Sequence, residues 1–260
     1  MMNTILNRKL LFNIPSGLDP LTKLFLSATG ITNSAQIIAI DYLCVNLRKN
    51  GLLSKIKALH PFVGGDATKH SFNIMDTSKF QLTFINSPTQ DGNGVTFNGT
   101  SQYANTGFNP FIEYGSGPLN LEIYSRTNNA LSQVDIGSYS TSSVQSRVFL
   151  KNAANSLYYV HNGGNVTVGI SDSLGLFSCN SDSNQIVYKN GISIGTSGSG
   201  SGNTSNFNYY IGALNNNNVA SFYSNRNYAL SAFCTPLNAS ETLIFYNIVQ
   251  QYQTLLNRQV

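Results

Sequence analysis

The sequence predicts a mainly β protein: a two-sheet antiparallel sandwich with a helical segment before it and a helix after it. One observation behind this is a long succession of short β-prone runs, separated by Gly, Asn, Ser and Asp, that begins after Pro61. Another is the stretch QIVYKNGISIG, Gln185 to Gly195, which spells out a β-hairpin. Its Asn190-Gly191 pair tolerates the positive φ angles of a type I′ turn, and Ile186, Tyr188, Ile192 and Ile194 fall at period-two positions around it. The third is that helical periodicity is confined to the two ends of the chain. Strands at this spacing favour a sandwich over βαβ units. At 260 residues with 41% hydrophobic content, 15 Phe and 14 Tyr, the chain has ample apolar area for a core.

Residues 1–30 read as an N-terminal arm, punctuated by Pro15, Gly17 and Pro20. Residues 31–60 read as a helical segment. Ile37, Ile40, Cys44 and Leu47 recur at three- and four-residue spacing after a cap at Thr32, Asn33 or Ser34, and Gly51 suits the C′ position. A second short helix is expected from Leu52 to Leu59, stopped by His60-Pro61.

Residues 61–260 then form the sandwich with its closing helix. Expected strands are Phe80 to Ile85, Gly94 to Phe97, Leu119 to Tyr124, Val134 to Tyr139, Arg147 to Lys151, Leu157 to Val160, Thr167 to Ile170, Gly175 to Cys179, the two hairpin arms, Asn208 to Leu214, and Tyr228 to Phe233. The low-complexity run TSGSGSGNTS, Thr196 to Ser205, reads as a mobile loop, and its glycine spacing fits no nucleotide-binding motif. Asn238 and Glu241 fit a capping-box variant, followed by apolar residues from Leu243 to Leu256 on a helix.

Composition narrows the role. The formal charge of +4 is spread thinly, with no dense basic cluster on a recognisable reading element, so a nucleic-acid partner is not expected. The three cysteines, Cys44, Cys179 and Cys234, have no CxxC spacing and read as small buried apolar residues from a reducing compartment. Asn13 and Pro15 interrupt the early apolar run before it reaches signal-peptide length, and no segment approaches a membrane span. Synthesis in the cytoplasm is expected, and no membrane partner.

Several segments, taken in order, resemble the concanavalin A-like (laminin G-like) sandwich proteins of tailed bacteriophages, including those infecting gut Bacteroides-type hosts. They are ITNSAQIIAIDYLCVNLRKNGLLSKIKALHPFVGG with KHSFN soon after, VTFNGTSQYANTG, EIYSRTN, VYKNGISIG, YYIGALN and the terminal LLNRQV. The resemblance runs from about Phe25 to Val260 and leaves residues 1–24 outside it. It implies a jelly-roll of two antiparallel sheets. It also implies a non-enzymatic virion structural role, as head fibre, capsid decoration or tail appendage, held by contacts with other virion proteins. A homo-oligomer is expected in that setting, with Ile37, Ile40, Leu47, Leu243 and Val249 on the terminal helices as candidate oligomer or particle contacts.

Catalytic chemistry finds little support in the residues. The only carboxylate pair that can be constructed on neighbouring strands is Glu122 with Asp135, against the paired carboxylates a glycosidase needs. No serine sits in a nucleophile elbow, and His60, His70 and His161 lack metal-ligand spacing, so no enzyme activity and no cofactor are expected. The loop residues Asp91, Asn93, Asp172 and Asp182 are the alternative: ligands for one structural calcium. The competing function on the same scaffold is a carbohydrate-binding adhesin for a host or mucus glycan. Its candidate residues are the loop and strand tyrosines Tyr103, Tyr114, Tyr139, Tyr158 and Tyr223.

Overall fold

The structure is a computed structural model that describes residues 17–200 and 202–260; most of the expected N-terminal arm lies outside the described residues. Asp19 caps helix α1 (Pro20–Thr29) by accepting from the Leu21 amide, Pro20 occupies the first turn, and Gly30 ends it at φ +66°. Pro20, expected as arm punctuation, is therefore part of a helix start. Asn33 caps helix α2 (Ser34–Lys49) by accepting from the Gln36 amide. The two helices are tied by an Arg48 Nε to Asp19 Oδ2 ion pair of 2.7 Å.

The second short helix expected from Leu52 does not form. A single 3₁₀ turn, Leu53–Lys55, leads into strand β1 (Ile56–His60), which pairs antiparallel with β17 (Asn227–Cys234). A short apolar run reads equally as strand or buried helix, and the free edge of β17 decides between them.

The first sheet has eight strands. Its path is β13 (Ile192–Gly198), β12 (Asn184–Lys189), β11 (Gly175–Ser181), β6 (Leu119–Ser125), β17, β4 (Gly94–Thr96) and β3 (Thr89–Asp91), with β1 also on β17. The second sheet has nine. Its path is β10 (Gly164–Gly169), β9 (Ser156–His161), β8 (Val144–Phe149), β7 (Ile136–Thr141), β14 (Tyr210–Ile211), β5 (Tyr103–Asn105) and β2 (Thr83–Ile85). In addition, β15 (Leu214–Asn216) runs parallel to β7 and forms a hairpin with β16 (Val219–Ser221). All other pairings are antiparallel, and the two sheets stack as a jelly-roll sandwich.

The hairpin forms with Asn190 at φ +51° and Gly191 at φ +77°. Its side-chain parity differs from the expected one. Val187 enters the core between the sheets in register with Cys179 and Tyr188 faces away from it, while a bulge opposite these two residues falls in β13 and Ile192 is solvent-exposed. The Thr196–Ser205 run is likewise not a free loop. Its first residues extend β13, and the Gly202 amide donates to the Asn162 carbonyl at 2.8 Å.

Two hydrophobic cores result. Leu121, Ile123, Phe177, Cys179, Val187 and Phe233 of the first sheet face Ile136, Val148, Leu157, Tyr159 and Ile211 of the second. On its other side the first sheet turns Tyr124, Leu176, Leu230 and Ala232 toward the helices α1, α2 and α5 (Ala239–Leu255). Helix α5 carries the expected capping box, with Asn238 and Glu241 exchanging both hydrogen bonds. Ile40, Leu47 and Val249 are buried in this helical layer, so they pack within the chain and are not free for oligomer or particle contacts. Ile37 is partly buried against the same layer, while Leu243 is exposed beside Gly191. The layer is closed by Arg258 of LLNRQV, whose buried guanidinium donates to the carbonyls of Phe62, Pro61 and Ala229 at 2.6, 2.9 and 2.9 Å. All three cysteines are buried, and burial pushes the Cys44 thiol up to about 12. Among the described residues no helix is long and apolar enough to cross a membrane.

Candidate functional site

The outward face of the second sheet has no helix packed over it among the described residues, and its side chains follow from strand alternation. Ile136, Val148, Tyr159 and Ile211 point into the core, so Gly137, Arg147, Tyr158 and Tyr210 point out. Register places Asn105, Tyr210, Gly137, Arg147 and Val160 side by side on five adjacent strands. Gly137 is required by this row. A methyl group there would fall 2.6 Å from Arg147 Cβ, so the glycine lets the arginine strand come close.

Two ring clusters stand on this face. In one, Tyr103 stacks on Tyr210 with centroids 4.5 Å apart, and Tyr223 lies 6.3 Å from Tyr103. In the other, the Arg147 guanidinium lies 5.3 Å from the Tyr139 ring centroid and 5.6 Å from that of Phe149. Phe149 meets Tyr158 edge-on at 5.8 Å and Phe222 at 6.4 Å. The consecutive residues Phe222 and Tyr223 thus reach different clusters. Phe222 does so at φ +51°, an uncommon conformation for a bulky residue, held by the Val134 amide donating to its carbonyl at 2.9 Å. Its ring is half exposed. Arg147 forms no ion pair among the described residues.

Four of the five tyrosines singled out in the sequence, Tyr103, Tyr139, Tyr158 and Tyr223, stand on this face. Tyr114 does not join them. It ends the short helix α4 (Pro110–Tyr114), its ring packs on Phe108, and its hydroxyl is buried without a protein partner among the described residues. Arg147, Phe149, Tyr210 and Phe222 were not singled out. The signal for Arg147 and Phe149 was available, since they share one parity within a β-prone run.

The carboxylate pair is split between the two sides of the first sheet. Glu122 shares the side of Asn120 and Tyr124, toward the helices, where it accepts from Asn120 Nδ2 at 2.7 Å and Ser178 Oγ at 2.5 Å. Burial raises its carboxyl to about 8 despite those bonds. Asp135 lies inside the sandwich, where it accepts from Arg226 Nη1 at 2.8 Å, from the Leu150 amide at 2.7 Å and from the Tyr228 hydroxyl. Facing opposite sides of the first sheet, the two carboxylates cannot share a substrate in the manner of a glycosidase pair. His60, His70 and His161 are each buried, and burial lowers each to about 4. His60 bonds the Phe80 carbonyl at 2.8 Å and His70 bonds Gln90 Oε1 at 2.7 Å.

The calcium candidates are dispersed. Asp91 accepts from the Asn93 amide, Asp172 pairs with Lys189 at 2.6 Å, and Asp182 stands elsewhere on the surface. Among the described residues no group of three His, Cys, Asp or Glu side chains is placed to hold a metal ion.

No protein-family model and no curated protein sequence matches the chain. Solved structures do. One is botulinum neurotoxin type C, whose passage into cells depends upon interaction with two ganglioside molecules: TM-score 0.55 at 10% identity, over 78% of this chain and 53% of that one. Another is the binding domain of botulinum neurotoxin DC in complex with SialylT: TM-score 0.51 at 13% identity, over 76% and 52%. A third is a mutant Trypanosoma rangeli sialidase displaying trans-sialidase activity: TM-score 0.50 at 10% identity, over 81% and 39%. The likeness is one of fold, the jelly-roll sandwich. The chain spans about half the length of the toxin structures it matches and less of the sialidase.

Proposed function

We propose that this chain is a non-catalytic carbohydrate-recognition module that binds glycans on the outward face of its second sheet. The observation that carries the reading is the Arg147 guanidinium, held between the Tyr139 and Phe149 rings on a helix-free sheet face and without an acidic partner among the described residues. Rings supply the apolar platform against which a sugar face packs, and a guanidinium fork supplies paired donors for a carboxylate. The flanking Tyr103, Tyr158, Phe222 and Tyr223 extend the platform on both sides. The ganglioside and SialylT ligands of the toxin structures support the same ligand class. An acidic oligosaccharide is the preferred ligand. The test is calorimetric titration with 3′-sialyllactose and with lactose. Saturable binding that favours the acidic sugar and weakens about tenfold in Arg147→Leu, a loss of about 1.4 kcal/mol, is expected. Silence across both sugars and a glycan array overturns the reading.

The setting we propose is a phage particle, where repetition would let weak individual contacts act together. This rests on the ordered sequence resemblance and on no contact within the structure. Mass spectrometry of purified particles tests it. Absence of the chain from intact particles removes the setting and leaves the sugar-binding reading in place.

A further inference from the structure

The end of the sandwich where the hairpins β9–β10 and β11–β12 turn has a character of its own. There the inward-facing positions change from apolar to polar. Cys179 is followed at the same parity by Ser181, Val187 is preceded by Gln185, Tyr159 is followed by His161, and Val148 is preceded by Ser146. Register puts Ser181 opposite Gln185 in the first sheet and Ser146 opposite His161 in the second, so the four meet at one level of the gap. A cavity of about 320 Å³ opens at this level, with His161, Ser181 and Gln185 in its wall and Ser116, Asp182 and Ser183 at its rim.

The wall is incompletely bonded. Gln185 is fully buried, and its orientation is set by Nε2, which donates to the His161 carbonyl at 2.7 Å. Gln185 Oε1 and His161 Nδ1 are both buried with no protein partner among the described residues. Buried polar atoms in folded proteins are almost always partnered, so two orphans on residues that line one cavity call for an occupant that bonds. The occupant's chemistry follows from theirs. Gln185 Oε1 needs a donor. The Ser181 hydroxyl in the wall gives and accepts hydrogen bonds, as does the His161 ring in the neutral form that its burial favours. The Asp182 carboxylate at the rim disfavours an anion. The volume is at the small end of ligand sites, which begin near about 300 Å³.

We propose that this polar mouth between the two sheets binds one neutral, hydroxyl-rich unit of monosaccharide size. The proposal shares its ligand class with the aromatic face but none of its residues, so the two can fail separately. Calorimetric titration of the full chain with galactose, glucose, N-acetylglucosamine and N-acetylneuraminic acid tests it. At least one neutral sugar is expected to bind saturably, and in Arg147→Leu, where the aromatic face is disabled, N-acetylneuraminic acid should bind about tenfold more weakly than that sugar or worse. Gln185→Leu should weaken the neutral sugar by about tenfold or more, and Arg147→Leu should leave it unchanged. Ser116 is exposed, so the rim-filling Ser116→Trp keeps the fold and decides the matter should Gln185→Leu fail to fold. Absence of saturable binding by every neutral sugar, meaning ordered water alone, overturns the proposal. Binding that survives in Ser116→Trp, or that disappears in Arg147→Leu, overturns it too.

Discussion

The first sheet turns Tyr124, Leu176, Leu230 and Ala232 outward onto the chain's own helices, whereas the second turns Tyr103, Tyr139, Arg147, Phe149 and Tyr158 outward with no helix over them among the described residues. The residue types match the difference. Aliphatic side chains on the covered face gain from leaving water. Tyrosines and an arginine on the open face carry apolar bodies with polar ends and tolerate both water and a ligand. One outer face is thus covered by the chain's own helices and the other is the face proposed for recognition, and substitutions on the two faces should separate those properties.

The largest expected effect is on the covered face. Phe245 is fully buried between α5 and its neighbours, so Phe245→Ala should cost about 3–5 kcal/mol in denaturant unfolding while leaving the sugar affinity of the folded fraction unchanged. A loss of affinity without a loss of stability would break the division of labour.

The next effect is in pH dependence. His60, His70 and His161, lowered to about 4 by burial, are neutral in the fold but charge in the unfolded chain below its usual 6.5, so stability should fall as pH drops from 6.5 toward 4. Glu122 works in the other direction. Raised to about 8 from its usual 4.5, it keeps its proton in the fold after the unfolded chain has lost it, so its contribution is full below 4.5 and disappears as pH rises to 8. Thermal melts should therefore peak near pH 6.5 and decline above it. Glu122→Gln should flatten the decline, and an unchanged slope would mean that the helix-facing carboxyl is not buried as described.

On the open face, Tyr139→Ala should change unfolding free energy by less than about 1 kcal/mol yet weaken 3′-sialyllactose by about tenfold. Gly137→Val should lose affinity and stability together, because its Cβ would fall 2.6 Å from Arg147 Cβ and 3.0 Å from the neighbouring backbone. Unfolding of Tyr139→Ala would show that the face is structural.

Much of this division was legible in sequence. The strand runs, a cap within Thr32 to Ser34, the Asn238–Glu241 capping box and the Asn190-Gly191 turn are local chemistry and lie where that chemistry puts them, the cap falling on Asn33. Strand β1 was not, because the spacing from Leu52 to Leu59 reads as a helix, and only pairing with β17 makes Ile56–His60 a strand. The three-residue strands β3, β5 and β16 are too short to announce themselves. The terminal helices show apolar stripes without saying what covers them, which is why Ile40, Leu47 and Val249 read as contacts before the helical layer placed them inside. At the site, tyrosines alone are ambiguous. Only parity across five paired strands separates Tyr139 and Tyr158, which face out, from Tyr159, which faces in, and brings Arg147 and Phe149 to join the first two.

The most direct test of the open face is an amide chemical-shift titration of the full chain with 3′-sialyllactose. The largest saturable shifts are expected at Tyr103, Tyr139, Arg147, Tyr158 and Phe222, and they should be lost in Arg147→Leu. Saturable shifts centred on the helical layer, or none on the outward face of the second sheet, would contradict the assignment of recognition to that face.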